Sequence, residues 1–312
     1  LVSIAALWLA LAIDRWLGEP PDGWHPVVWM GRYLGWAGSR IAPRPGEDRT
    51  HRLLTFGAGA FAWCVGASMV AAVAVGIALV AVMLPAWAGA LLVGFALKPL
   101  LAWRMLWDEV LAVEAALGRS LDEGRTQLAR LVSRDVSTLG EVQVRESAIE
   151  SLAENLNDSL VAPLFWFVLL GLPGAAVYRF SNTADAMWGY RGARAGHDWE
   201  WAGKWAARVD DVLSWIPARI TAALLLPVSP VAWASCRREA RRTPSPNGGW
   251  PMGAMALRLG VRLAKPGVYV LNAPGRESIA SDTVRAATLA SRVVVLSAIG
   301  ATVAMAGRTA WT

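Results

Sequence analysis

The sequence predicts an all-α, polytopic integral membrane protein with broken or re-entrant helices and a cytoplasmic helical layer. Its 312 residues are 55% hydrophobic and only 17% charged, more apolar than an ordinary soluble domain. Apolar runs lie near 56–84, 86–106, 159–181, 212–234 and 288–306. Most approach the roughly 20 residues that cross a bilayer, and Pro or Gly interrupts several of them. The net charge is +6, and only Lys98, Lys204 and Lys265 among the 30 basic residues are not Arg. Such loops suit the anionic cytoplasmic side of a membrane. A single domain is expected over 1–312, with residues 104–158 as its cytoplasmic layer.

The opening LVSIAALWLALAI is too short to span alone and lacks the basic start and cleavage site of a signal peptide. Residues 14–52 read as a polar ordered loop, because Pro20, Pro21, Gly23 and Pro26 oppose a helix. His25 stands alone there, and a lone His is most often a hydrogen-bonded structural residue. Phe56 to Leu84 is almost uncharged; Pro85 breaks it, and Trp87 to Trp103 supplies a second passage cut at Lys98-Pro99. Residues 104–145 carry acids and arginines at the spacing of exposed amphipathic helices. Further on, Gly171-Leu172-Pro173-Gly174 interrupts an apolar run, and Pro217, Pro227 and Pro230 interrupt another. Arg237, Arg238, Arg241 and Arg242 form a basic cluster most simply read as a positive-inside anchor.

The scattered arginines, with no zinc finger, RNP-type motif or continuous basic helix, exclude nucleic acid as a partner. Cys64 and Cys236 make neither a metal quartet nor a disulfide framework. Most of the 18 Trp are membrane-edge anchors or core.

The stretch RESAIESLAENLND, Arg145 to Asp158, is the most informative. As a helix it stacks Glu146, Glu150, Glu154 and Asp158 on one stripe, opposite Ile149, Leu152, Ala153, Leu156 and Leu160. Like charges at this spacing repel. Spacing alone leaves two readings: a solvated acidic face answered by Arg145 and Arg134, or a site for Mg²⁺ or a Mg²⁺-phosphate substrate, which hard oxygen ligands suit. The apolar run that follows, SLVAPLFWFVLLGL, places these acids at a bilayer mouth and favours the second. Tyr178, Asn182, Asp185 and Gly189 share a helical face, as do Asp211, Trp215 and Arg219. The first set is equally compatible with capping and packing, the second with an i,i+4 network closing on Arg219. If every apolar run crossed once, the arginine-bearing loop 179–211 would be translocated, contrary to its charge. Residues 159–181 and 212–234 are therefore expected to be re-entrant or broken, with the polar segments on one cytoplasmic face.

These residues resemble the adenosylcobinamide-phosphate synthase family of cobalamin biosynthesis, the CobD/CbiB family. The matching stretches are GEPPDGWHPVVWMG, Arg134-Asp135, ESLAENLNDSLVAPLF, AVYRFSNTADAMWGYR, ARVDDVLSWIPARITA, SPNGGWP and AMALRLGVRL, in order over most of the chain. The resemblance implies ATP-dependent joining of the propionate carboxylate of adenosylcobyric acid, a corrinoid, to (R)-1-aminopropan-2-ol or its O-phosphate at the cytoplasmic membrane. A carboxylate is a poor electrophile, so amide formation needs activation, most simply as an acyl phosphate with Mg²⁺ neutralising the transferring group. On this reading ATP and Mg²⁺ are the cofactors, and Glu150, Glu154 and Asp158 are the metal ligands, with Asn155 beside them. Asp185 and Asn182 complete the metal shell or orient the amine. Arg134, Arg191 and Arg219 meet phosphates. Asp210 and Asp211 compete for the base role. His25, Asn247 and Trp250 line the site, the Trp as a flat surface for the corrin ring.

The bilayer is the remaining partner, and other cobalamin-assembly enzymes or a second copy of the chain are compatible with the resemblance. There is no GxxxxGK[ST] loop, so the nucleotide site is not placed by sequence. Met252 stands where the family pattern usually has an acid. Two other classes compete. An intramembrane Mg²⁺-dependent prenyltransferase would use the NTAD acids but leaves the His25 loop and SPNGGWP unexplained. A non-catalytic corrinoid scaffold or transporter suits broken helices, but no inverted repeat is present.

Overall fold

The computed structural model describes residues 1–46 and 52–310, the side chains of 309 and 310 excepted. The C-terminal part of the expected 14–52 loop thus lies partly outside the described residues. Thirteen α-helices are seen among them: α1 (Val2–Trp16), α2 (Pro26–Ile41), α3 (Arg52–Met83), α4 (Ala86–Leu97), α5 (Trp103–Leu117), α6 (Leu121–Leu128) and α7 (Glu141–Leu156), then α8 (Ala162–Trp188), α9 (Lys204–Leu213), α10 (Trp215–Leu225), α11 (Pro230–Ala240), α12 (Gly249–Leu259) and α13 (Ala280–Ala310). Two small antiparallel hairpins complete the set: β1 (Ala193–Arg194) with β2 (His197–Asp198), and β3 (Leu263–Lys265) with β4 (Tyr269–Leu271). The all-α class holds, and four helical stretches are long and apolar enough to cross a membrane: Arg52–Met83, Ala86–Leu117 (α4 and α5), Glu141–Trp188 (α7 and α8) and Ala280–Arg308.

The chain forms two compact units, one of Leu1–Leu101, Ala162–Leu213 and Ala301–Thr312, the other of Ala102–Val161 and Ser214–Gly300. In the first, α3 is apolar on every face. It leaves Phe61, Val73, Leu79 and Val82 exposed, as expected where lipid is the solvent. Its small residues let α8 approach closely, with Gly66 set against the Phe180 and Tyr33 rings. Inside α8 the helix breaks at Gly171, whose φ of 66° and ψ of −157° are essentially restricted to glycine; Pro173 follows and cannot restore the ladder.

The expected loop over 14–52 is much shorter than its prolines suggested. Pro26 is not a breaker but the first residue of α2, where a missing N–H costs nothing. His25 caps that helix, its Nδ1 accepting from the Val27 N–H at 3.2 Å.

In the second unit α7 is the central helix. Val144, Ala148, Ile149, Leu152, Ala153 and Leu156 are buried as it packs on α5, α6, α12 and β3. Arg145 is buried with them, donating from Nε and Nη2 to both Glu114 oxygens at 2.8 Å and from Nη2 to Glu141 at 2.9 Å. Ser120 caps α6 by accepting from the Glu123 N–H, the arrangement its S-x-x-E spacing implies. The run over 212–234 is not one helix: α10 ends at Leu225, and α11 begins at Pro230 with Ser229 as its cap.

Candidate functional site

One face of α7 opens into a cleft of about 170 Å³, lined by Ser147, Glu150, Ser151, Glu154 and Asn155 together with Arg134, Lys265 and Tyr269. These α7 positions follow i, i+3, i+4, i+7, i+8 spacing, so one helix face presents them all. Arg134, in the loop after α6, donates from Nη2 to the Ser147 hydroxyl and at 3.3 Å to Glu150 Oε2. Glu150 is 4% exposed. Its other oxygen, Oε1, is buried without a hydrogen-bond partner, and so are Nε and Nη1 of Arg134. Buried atoms of this kind are costly unless a ligand meets them. Tyr269, on β4, donates at 3.6 Å to the sulfur of Met252. Burial, followed by the charges of Glu150 and Glu154, pushes its hydroxyl up. It therefore remains a donor.

The four-acid stripe divides on folding. Glu146 is fully buried and serves structure, accepting from the Ala264 N–H at 3.1 Å and facing Arg262 at 3.4 Å. Asp158 is not among the cleft residues: it lies inside a π-turn over Asn157–Val161 that follows α7, whose wider winding breaks the i,i+4 stripe there. There Asn157 donates to Asp158 at 2.7 Å and accepts from Thr221. Asn155 donates back to the Ser151 carbonyl at 2.9 Å.

The SPNGGWP segment borders Glu154. Gly248 lies so close that a Cβ there would stand 2.8 Å from Glu154 Oε1. Arg219, on α10, holds this loop: Nη1 donates to Asn247 Oδ1 at 2.8 Å and to the Trp215 carbonyl at 2.7 Å, and Nη2 donates to the Pro246 carbonyl at 3.2 Å. Its guanidinium lies 4.3 Å from the Trp215 ring centroid and 4.8 Å from that of Trp250. Arg219 thus positions the loop while still lining a separate groove beside it, and Asn247 is buried beneath it. The expected Asp211–Trp215–Arg219 face is interrupted, because α9 ends at Leu213 and α10 starts after Ser214.

The remaining candidates belong to the first unit. His25 Nε2 meets Glu19 at 3.2 Å, and Lys98, nearly fully buried, meets Glu19 at 2.6 Å and Asp14 at 3.3 Å. The GEPPDGWHP loop is therefore tied down by a buried lysine on the Lys98–Leu100 turn. Asp185 packs its carboxylate against Gly189 and Asn182 is half-buried. Burial pushes the Asp211 carboxyl up, against the opposing pull of Arg191 and Arg208.

Among the described residues no three His, Cys, Asp or Glu side chains form a cage for a metal ion. Glu150 and Glu154 nonetheless fit Mg²⁺ of the phosphate-bound kind, which takes one or two carboxylates and leaves its other positions to phosphate and water. The unpartnered Glu150 oxygen suits the cation, and the unpartnered Arg134 N–H groups suit its anion. Sequence reasoning missed Ser147, Ser151, Lys265 and Tyr269. The two serines were readable from the same heptad as the glutamates; Lys265 and Tyr269 arrive on a hairpin that local patterning does not place.

Comparison with known proteins gives one consistent answer. The family described as "CobD/Cbib protein" matches residues 7–296. A relative from Thermococcus kodakarensis, "Probable cobalamin biosynthesis protein CobD", is 42% identical over 285 residues, covering 91% of this chain and 90% of the relative. "Cobalamin biosynthesis protein CobD" of Brucella anthropi is 35% identical over 309 residues, covering 92% and 91%. No solved structure gives a significant match.

Proposed function

Because the chain belongs to the CobD/CbiB family and so has a role in cobalamin biosynthesis, we propose that it is the membrane ligase that amidates adenosylcobyric acid. The acceptor is (R)-1-aminopropan-2-ol or its O-phosphate, and the product is adenosylcobinamide or its phosphate. ATP with Mg²⁺ supplies the phosphoryl group that converts the unreactive carboxylate into an acyl phosphate.

The chain's own residues then have defined work. Glu150 and Glu154 hold the divalent ion. Arg134, fixed by Ser147, offers two unpartnered N–H groups to phosphate oxygens, an arrangement that neutralises charge where it develops. Tyr269 stays protonated and borders the same cleft, where a ligand oxygen can take its hydroxyl proton in place of the Met252 sulfur, and Lys265 adds a second cation. The amine attacks the acyl carbon, the carbon–oxygen bond to phosphate breaks, and the ammonium proton leaves to solvent or a cleft carboxylate. The observation that carries this reading is the pairing in one cleft of an unpartnered carboxylate oxygen with unpartnered guanidinium donors. Placement of the cleft on the cytoplasmic side belongs to the same proposal and rests on the charge of its loops.

The test is turnover by purified protein in detergent, given adenosylcobyric acid, aminopropanol phosphate, Mg²⁺ and ATP. Cobinamide phosphate should appear with equimolar ADP. Corrinoid binding without product would instead indicate a scaffold.

A further inference from the structure

The arginine cluster after α10 does not behave as a uniform membrane anchor. Arg238 donates to the Ser235 hydroxyl at 2.9 Å and Arg242 meets Glu239 at 3.1 Å. Arg237 and Arg241 are exposed, make no hydrogen bond or ion pair among the described residues, and face a separate groove of about 570 Å³. Trp233, Arg237 and Arg241 succeed one another every four residues, so a single helix face presents one ring and two guanidinium groups. Opposite them stand Trp250 and Trp215 with the Arg219 guanidinium against both rings, and Thr243 and Ser245 on the loop. The Trp233 and Trp250 rings are 4.9 Å apart at 37°.

This set of groups has a definite ligand chemistry. Trp faces stack on a flat heteroaromatic base. Two unpaired arginines on adjacent turns suit a chain of phosphates. Thr243 donates within the loop, to the Ala240 and Ser245 carbonyls, whereas Ser245 accepts from the Asn247 and Gly248 N–H groups and keeps its proton for a ribose or a terminal oxygen. The volume lies in the range of sites for ligands of nucleotide size. Thr243 and Ser245 begin the loop whose Gly248 abuts Glu154, so phosphates extending along that loop lead toward the metal-binding carboxylates. The geometry points to this groove as the adenine nucleotide site: base against the exposed side of Trp233, which Trp250 backs, and phosphates on Arg237 and Arg241. The assignment rests on the reading above that a nucleotide drives the reaction.

Equilibrium dialysis of radiolabelled ATP against the full-length protein in detergent tests it, with EDTA present to isolate the groove from the metal. In the variant R237A/R241A the Kd for ATP should rise at least about tenfold while that for adenosine is unchanged. W233A should weaken both ligands. R238A/R242A removes the same charge outside the groove and should leave ATP binding intact. Equal losses in the two double variants would reduce the effect to net charge and overturn the assignment, as would no ATP binding by the wild type or none of it lost in R237A/R241A. Short-chain phosphatidylglycerol is the competing phosphate source. If it binds the wild type and loses that binding in R237A/R241A while ATP does not, the groove is a lipid-headgroup site. Ligation by R237A/R241A with an unchanged KM for ATP would refute the site and leave the reaction. Arginine-dependent nucleotide binding without any ligation would refute the reaction and leave the site.

Discussion

Glu150 and Arg134 are paired through only one oxygen and one nitrogen, Oε2 with Nη2 at 3.3 Å, while Glu150 Oε1 and Arg134 Nη1 are buried without partners. Two groups built only to stabilise each other would form the bidentate fork available to them. The half-made pair is instead an opening for a ligand carrying both signs of charge. Glu150→Gln preserves the shape and removes the charge, so kcat should fall about a hundredfold or more with the thermal unfolding midpoint nearly unchanged. Full turnover in that variant would remove the cleft from the mechanism.

Gly248→Ala separates activity from stability. Gly248 has an ordinary φ of −54°, so alanine meets no backbone strain, and the atom it would crowd is the mobile end of Glu154. The expected outcome is a folded protein with the wild-type melting temperature whose turnover is depressed by displacement of that carboxylate. A fall in melting temperature with unchanged specific activity would contradict this.

Arg145 makes the opposite prediction. Its donors are taken up by Glu114, Glu141 and the Ser278 carbonyl, and removing one partner of a buried pair costs about 3–5 kcal/mol because the other charge is stranded. Arg145→Met should lower the unfolding midpoint in detergent sharply. Replacing Glu114 by Leu in the same chain should restore much of the loss.

The loop around His25 gives a pH test. Burial raises the Glu19 carboxyl, but hydrogen bonds from His25 and Lys98 outweigh it and hold the group below its ordinary value of 4.5. A carboxyl lowered by folding contributes stability that is present above its unfolded pKa and is lost as pH falls through its folded one. The melting temperature difference between wild type and Glu19→Gln should therefore be full above pH 4.5 and shrink below it. A difference independent of pH would show that the loop is held by packing alone.

Much of this was legible in the sequence, and the exceptions have specific causes. The apolar runs gave the membrane class directly, and Gly171 with Pro173 marked the break in α8. The helix of Glu150 and Glu154 was readable from period alone. Pro26 misled because proline reads as a breaker unless its place in the first turn is known. Asp158 was placed on the metal stripe because a π-turn leaves no local signature. The hold of Arg219 on the loop was not legible, because its partners Asn247 and Pro246 lie some 30 residues away and only folding brings them to it. The same long-range pairing hid Lys98, whose acids are Asp14 and Glu19.

Fate of the carboxylate oxygen is the most direct test of the mechanism. Adenosylcobyric acid labelled with ¹⁸O in the reacting carboxylate should release phosphate carrying one ¹⁸O atom for each amide formed, because the oxygen lost from carbon departs on phosphorus. Unlabelled phosphate, or product formed with no phosphate released, would contradict activation by phosphoryl transfer.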